Sequence, residues 1–162
     1  MQYTASTRGY RKFDLMDDMG IIVGRLGYPS AFSSAAHIIV NERQVYDIKL
    51  KGFWGTRRQI LKSDMPFGEI LANMRGTVEI YFQTGKMLYF RRRSVWRNEF
   101  ILTDGTRQVI AQLQGKFHWA KLGFDYEIDV YDNRLDREIN TLIPFLMTYS
   151  AMYLKRRTAA AG

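Results

Sequence analysis

The sequence predicts a mainly β protein in which about twelve antiparallel strands form a closed barrel around a central hydrophobic C-terminal α-helix. Apolar and polar residues alternate with period two through most of the chain, as expected for strands with one buried and one solvated face. Near the C terminus this alternation gives way to an uncharged apolar segment. A barrel of this size is too wide for its own side chains to fill, so the apolar segment is expected to fill it.

The alternation defines the individual strands. Val78, Ile80 and Phe82, for example, are separated by polar or amphipathic residues, and turn signals such as Asp104-Gly105 stand between the strands. Segment 67–73 is ambiguous, because it could equally form one helical turn. The candidate strands lie near residues 3–8, 10–16, 20–26, 35–41, 44–52, 57–63, 67–73, 77–83, 86–93, 97–103, 107–114 and 117–131, and we expect the last range to hold two strands.

The C-terminal segment is uncharged between residues 139 and 154, and its apolar residues would surround most of a helix. Such a helix is buried, either in a protein core or in a bilayer. The segment is short for a membrane span, so we expect a core helix at about residues 140–156, with a tail anchor as the alternative. Lys155 would then lie beyond the core and tolerate replacement by Asp.

Pro144 sets the expected start of this helix. Proline is accepted in the first turn of a helix and disrupts the interior, so the helix should begin near Asn140 or Thr141, with that residue as its N-cap. Residues 1–157 then form a single domain, and residues 158–162 are expected to be a loose tail.

Composition narrows the class of protein. The 162-residue chain has no cysteine and is long enough to form one self-sufficient core. Its first residues contain no apolar signal-peptide core, so we expect a cytoplasmic protein, with peripheral attachment to a membrane as an option. A net charge of +8 favours anionic partners, either nucleic acid or anionic lipid.

The sequence offers little support for catalysis. Without cysteine, thiolate nucleophiles and thiolate metal sites are excluded, and neither His37 nor His118 lies in a metal-binding motif. Asp125, Glu127 and Asp129 alternate along one strand face roughly 7 Å apart, too far to share one cation. We therefore expect structural histidines, a solvated acidic strand face, no cofactor, no metal and no enzymatic activity.

A basic cluster between residues 86 and 97 is the better candidate for a binding site. Alternation places Arg91 and Arg93 on one strand face, expected to be the solvated one, where two planar guanidinium groups would suit phosphate oxygens. Arg92 points the other way and should pack at the barrel end or meet a buried acidic partner. Alternatively, these arginines cover strand edges and pair with the acidic face. The candidate anion-binding residues are Lys86, Arg91, Arg93 and Arg97, with a second basic group at Arg57 and Arg58.

One stretch resembles a known family. Residues 98–111, NEFILTDGTRQVIA, look like the strand, Asp-Gly turn and strand of LURP-one-related domains, and Phe117-His118-Trp119 and residues 126–132 continue in that style. Together with the hydrophobic C-terminal helix, the chain resembles the tubby C-terminal-like superfamily, which also includes phospholipid scramblases. The resemblance implies a twelve-stranded barrel around a central helix and, in tubby-like members, phosphoinositide headgroups bound by basic residues. Scrambling is not implied, because the cysteine-rich and acidic calcium-site segments of scramblases are missing.

The sequence thus predicts a non-enzymatic module that binds anionic ligands or a membrane surface, with phosphoinositide-like headgroups as the model ligand, through an arginine-rich face. Two alternatives stay open at this point. The same face could bind nucleic acid, or the chain could be a structural or adaptor protein whose charge only confers solubility. The sequence predicts no particular protein partner.

Overall fold

A computed structural model describes residues 1–9, 11–30, 33–52, 55–131 and 134–161. Within these ranges every strand pairs antiparallel with its neighbours in the chain, and β1 pairs with β12, which closes the barrel and confirms the predicted fold class. The elements are β1 (Gln2–Thr7), β2 (Lys12–Asp17), β3 (Ile22–Gly27), β4 (Ala36–Val40), β5 (Gln44–Lys51), β6 (Arg57–Lys62), β7 (Met65–Ala72), β8 (Thr77–Phe82), β9 (Met87–Ser94), β10 (Glu99–Asp104), β11 (Val109–His118), a 3-10 turn (Trp119–Lys121), β12 (Gly123–Val130) and α1 (Arg137–Ala161).

The period-two pattern determines which side chains fill the barrel. Val78, Ile80 and Phe82 on β8 are buried, as are Tyr126 and Ile128 on β12, while the residues between them face outward. Because β1 and β12 pair across the closure, none of the described strands is left as an edge that could recruit another chain. The interior is therefore lined by apolar side chains from every strand.

Helix α1 runs through the barrel and completes its core. Every residue from Leu142 to Ala151 is buried, so the helix is enclosed on all sides. The prediction of a core helix is confirmed. Within the described residues, no helix has the length and apolar character needed to cross a bilayer.

The path of α1 distinguishes the two rims of the barrel. The lower rim is the one where α1 begins, and it carries the β2–β3, β4–β5, β6–β7, β8–β9 and β10–β11 connections. The upper rim is the one where α1 ends, and it carries the β1–β2, β3–β4, β5–β6, β7–β8, β9–β10 and β11–β12 connections. The two rims differ in charge, as described below.

The helix begins earlier than the sequence suggested. It starts at Arg137, and the Asp136 carbonyl accepts the backbone N–H of Asn140 at 2.9 Å, so Asn140 is inside the helix instead of capping it. Pro144 consequently lies in the helix interior, where its missing N–H leaves the Asn140 carbonyl without its usual partner. Thr148 donates to the Pro144 carbonyl at 2.8 Å, so this buried hydroxyl is satisfied.

A charged residue in the first turn explains this difference. Glu138 accepts a hydrogen bond from the Tyr46 hydroxyl at 2.5 Å and forms an ion pair with Lys62. Tyr46 and Lys62 both lie on the barrel wall at the lower rim. Burial alone would raise the pKa of Glu138, but these two donors outweigh it and hold the pKa below its usual value. Tyr46 and Lys62 on the barrel wall therefore stabilise the charge of Glu138 inside the helix, although the uncharged segment alone predicted a later start.

Two further boundaries differ from expectation. The range 117–131 does not hold two strands, because β11 continues to His118, a 3-10 turn follows, and a single strand begins at Gly123. Residues 158–161, expected to be a loose tail, are the last turn of α1, while residue 162 lies outside the described ranges. The ambiguous segment 67–73 falls mostly in strand β7. Residue 10, where the second strand was expected to begin, is also outside the described ranges.

Candidate functional site

The predicted arginine-rich strand is β9, which ends at the upper rim. Arg91 and Arg93 are exposed on the outer face, whereas Arg92 points inward and is partly buried, so the predicted alternation is confirmed. Within the described part of the chain, none of the three takes part in an ion pair. These arginines are therefore not committed to the acidic face of the barrel.

Arg92 packs at the barrel end, which is one of its two expected roles. Its guanidinium carbon lies 5.2 Å from the centre of the Phe100 ring on the neighbouring strand β10, a cation–π distance. Its buried Nε has no hydrogen-bond partner among the described residues. A buried donor without a partner is costly, and its burial also keeps this nitrogen out of contact with solvent.

Three arginines converge on one cavity at the upper rim. Arg91 and Arg92 meet Arg75, which belongs to the β7–β8 turn, around a cavity of about 370 Å³. The register places Thr77 opposite Arg91, which brings this turn beside β9. Among the residues that the structure describes, no carboxylate lines the cavity, so the charge of its lining is positive. The other lining residues are Gly76, Thr77, Leu154 and Thr158.

The remaining predicted residues lie apart from this cavity. Arg97 is in the exposed β9–β10 turn, 4.0 Å from Glu99, and Arg57 is exposed at the upper rim but separated from β9 by two strands. Arg58 points into the barrel, with its guanidinium 4.1 Å from the Tyr153 ring centre, because alternate residues of a strand face opposite ways. Lys86 lies beyond the lower end of β9, at the opposite rim. Arg58 and Lys86 therefore do not belong to a common surface with Arg91.

A second cavity lies on another side of the end of α1. It measures about 400 Å³ and is walled by tyrosine rings together with Arg156, whose guanidinium is 4.5 Å from the ring centre of Tyr28. Burial is the main cause that raises the pKa of Tyr28, so this hydroxyl stays protonated at physiological pH. Arg156 also donates to the Ser33 carbonyl at 2.8 Å, and Tyr149 donates to that of Ser34 at 2.6 Å. These contacts anchor the end of the helix to the β3–β4 connection.

Sequence reasoning missed Arg75, Arg156 and Arg157 as site residues. Arg75 lies in a turn between two strands, and nothing in its neighbours marks it. The two arginines after the apolar segment carried a usable signal, because a helix that runs through a barrel must end at a rim. Arg157 donates to the carbonyl of Asn73 at 2.9 Å, which ties the helix to the β7–β8 turn that holds Arg75.

Charge is distributed unequally between the rims. The turns and strand ends of the lower rim carry both signs of charge, since the acidic residues Asp17, Asp18, Glu42, Asp64, Asp104 and Asp136 are accompanied by the basic residues Arg43, Lys62, Lys86, Arg107, Arg134 and Arg137. The upper rim gathers basic ones: Arg8, Arg57, Arg75, Arg92, Arg93, Arg97, Lys121, Lys155, Arg156 and Arg157. The upper rim is therefore the part of the surface that would attract an anion.

Two of the three carboxylates on the acidic face of β12 form ion pairs. Glu127 pairs with Lys116 at 2.5 Å, and Asp125 lies 3.4 Å from both Lys121 and His118. His37 bonds Asp47 through Nδ1 at 2.6 Å on the exposed side of β4. Across the described ranges, no group of three or more His, Asp or Glu residues could hold a metal ion.

Lys155 is not the freely exposed residue that the sequence suggested. Its ammonium nitrogen lies 3.2 Å from the centre of the Phe124 ring and 3.1 Å from the Tyr126 hydroxyl. Burial, followed by repulsion from Arg92, lowers the pKa of Lys155 from 10.5 to about 7. An Asp at this position would face aromatic rings, so we no longer expect it to be tolerated.

We expect Lys155 to make the stability of the protein depend on pH. Between about pH 7 and pH 10 the unfolded chain holds a proton on this lysine that the folded chain has partly released. The free energy of unfolding should therefore rise with pH across this window. Below pH 7 Lys155 is charged in both states, so the full cost of burying its charge lowers the free energy of unfolding. Replacing Lys155 by Met should flatten the slope, as measured by urea midpoints at several pH values. Equal slopes in the two proteins would contradict the assignment.

Comparison with known proteins supports the fold. No protein-family model matches the chain, and no curated protein matches it. Among solved structures, the crystal structure of a protein from Arabidopsis thaliana is similar, with a TM-score of 0.57 and 12% sequence identity, over 91% of this chain and 88% of that one. At this identity the likeness concerns the fold, a β-barrel with a core helix.

Proposed function

We propose that this protein is a non-enzymatic binding module for multiply phosphorylated anions, such as phosphoinositide headgroups, at its upper rim. The observation that carries the proposal is the convergence of Arg75, Arg91 and Arg92 on one cavity whose described lining contains no carboxylate. Guanidinium groups form bidentate, charge-assisted hydrogen bonds with phosphate oxygens.

Two further observations support the choice of ligand. The upper rim concentrates basic residues around the cavity, so the field at this rim draws anions from solution. The tubby C-terminal-like superfamily, which the chain resembles, contains members that bind phosphoinositide headgroups. Membership of that superfamily is part of the proposal, and so is the peripheral attachment to an anionic membrane face that such binding would give.

Removing the cavity arginines should weaken anion binding. In the double variant Arg75→Ala/Arg91→Ala, we expect the affinity for inositol trisphosphate, measured by isothermal titration calorimetry, to fall by about tenfold or more, since each charge-assisted hydrogen bond contributes roughly 1.5–3 kcal/mol. Binding should also weaken as salt is added. The single variant Arg93→Ala tests whether the anion binds in the cavity or on the outer face of β9. We expect it to lower the affinity less than the double variant does, because Arg93 does not line the cavity.

The matched control removes the same charge at the lower rim. Lys86→Ala/Arg107→Ala should bind inositol trisphosphate as the unmodified protein does, because both residues lie at the opposite end of the barrel. Equal binding by the control and the cavity variant, with both folded by circular dichroism, would overturn the proposal. Tighter binding of an oligonucleotide than of inositol trisphosphate would favour a nucleic-acid module, and binding of neither would favour an adaptor.

A further inference from the structure

Large apolar side chains project into solvent from three turns of the upper rim. Met74 in the β7–β8 turn is 95% exposed, Trp96 in the β9–β10 turn is 98% exposed, and Trp119 in the β11–β12 connection is 81% exposed. Val95 and Leu122 are exposed beside them. Trp119 packs edge-on against Phe117, with the ring centres 4.9 Å apart, yet most of its ring still faces solvent. Apolar side chains this exposed are a candidate contact surface.

The three turns are neighbours around the rim. Strands β7 to β12 are consecutive in the barrel, so each of these turns is displaced from the next by two strands, about 10 Å. The tips therefore form one arc and can meet the same surface together. The Arg75 cavity opens beside the first tip, since Arg75 follows Met74 in the β7–β8 turn.

The charges beside the tips distinguish the two rims. The lower rim also exposes apolar residues, but Met19 follows Asp18 and Met65 follows Asp64. At the upper rim the neighbours are cationic. They are Arg75 beside Met74, Arg97 beside Trp96 and Lys121 close to Trp119. The lower rim also has Lys86 beside Met87, but Met87 is only 36% exposed, so among the described residues the fully projecting apolar tips with cationic neighbours lie at the upper rim. This composition favours the interface of an anionic bilayer.

We infer that the upper rim docks on an anionic lipid bilayer and inserts the tips of these three turns into the boundary between headgroups and acyl chains. Tryptophan suits this boundary, because its ring is largely apolar while its N–H can bond a polar neighbour. Arg75, Arg97 and Lys121 then contact lipid phosphates. Met74, Val95 and Leu122 favour a bilayer over a nucleic acid, since aliphatic side chains offer no flat ring on which a base can stack.

This inference deepens the proposed function and rests on it for the attraction between the rim and anionic headgroups, but insertion is a separate property. The cavity acts on a soluble anion, whereas the tips act only on a bilayer. The two ideas can therefore fail separately, and the test uses both kinds of ligand.

The test compares two triple variants by sedimentation with phosphatidylcholine vesicles that contain phosphatidylserine. Met74→Ser/Trp96→Ser/Trp119→Ser should lower the vesicle partition coefficient by at least about tenfold, because three apolar side chains lose their burial in lipid. Met19→Ser/Ile21→Ser/Met65→Ser changes exposed apolar residues at the lower rim and should bind vesicles normally. Both variants should bind soluble inositol trisphosphate as the unmodified protein does.

Insertion depth supplies a second readout. Brominated lipids should quench tryptophan fluorescence of the unmodified protein, and the Trp96→Ser/Trp119→Ser variant should lose most of this quenching. Unchanged partitioning of the upper-rim variant, or absence of quenching in the unmodified protein, would overturn the inference while leaving the anion cavity intact. Tip-dependent binding to an oligonucleotide that exceeds binding to vesicles would overturn it in favour of a nucleic acid.

Discussion

Replacing Leu146 by Asp is expected to abolish folding. Leu146 is 1% exposed near the middle of α1, surrounded by apolar residues from the barrel wall. A carboxylate there would be buried without a partner, which costs several kcal/mol, whereas the whole stability of a domain is about 5–15 kcal/mol. The variant should show no cooperative thermal transition by circular dichroism and should aggregate during purification.

Ala159→Asp is the matched control, because it introduces the same side chain into the exposed last turns of the same helix. This control should fold and melt close to the unmodified protein. A cooperative transition of Leu146→Asp at the temperature of the unmodified protein would show that the helix does not occupy the core.

Replacing Gly24 by Val should be nearly as damaging, for a reason of shape instead of charge. Gly24 on β3 lies where the barrel wall packs closely against Phe145 of the helix. A Cβ atom at this position would overlap the carbonyl oxygen of Ile39 and stand 2.5 Å from Cζ of Phe145. Because the nearest clashing atom, the Ile39 carbonyl oxygen, belongs to the backbone, no side-chain rotation relieves the clash. We expect the free energy of unfolding, measured by urea denaturation, to fall by about 3 kcal/mol or more.

A glycine on the same strand provides the comparison. A Cβ built on Gly27 would meet only the Arg11 carbonyl oxygen at 3.9 Å, which is ordinary contact. Gly27→Ala should therefore leave the urea midpoint unchanged or raise it slightly, because alanine loses less backbone freedom on folding than glycine does. If both glycine variants lose stability equally, the cause is the strand itself and not the packing against Phe145.

The barrel could be predicted because its evidence is local. Alternation within each strand and turn residues between strands are visible in a few consecutive residues, and an uncharged C-terminal segment identifies the core helix. The start of the helix could not be predicted in the same way. Glu138 belongs to its first turn only because Tyr46 and Lys62, distant in sequence, provide its partners.

The candidate site was only partly predictable for a related reason. Alternation correctly assigned Arg91 and Arg93 to the outer face and Arg92 to the inner one. The convergence with Arg75 depends on the register between β8 and β9, which no local pattern specifies. Lys86 was grouped with Arg93 because they are close in sequence, yet an intervening extended strand separates them by roughly 20 Å.

The order of elements has a consequence for synthesis on the ribosome. All twelve strands emerge before the helix that fills them, and the first strand must wait for the twelfth to close the sheet. The nascent hairpins therefore expose their apolar faces until the last element arrives, a period in which partly formed sheets tend to associate with one another. Cellular yield of this protein should depend on chaperones that shield the nascent chain, more than the stability of the finished barrel would suggest.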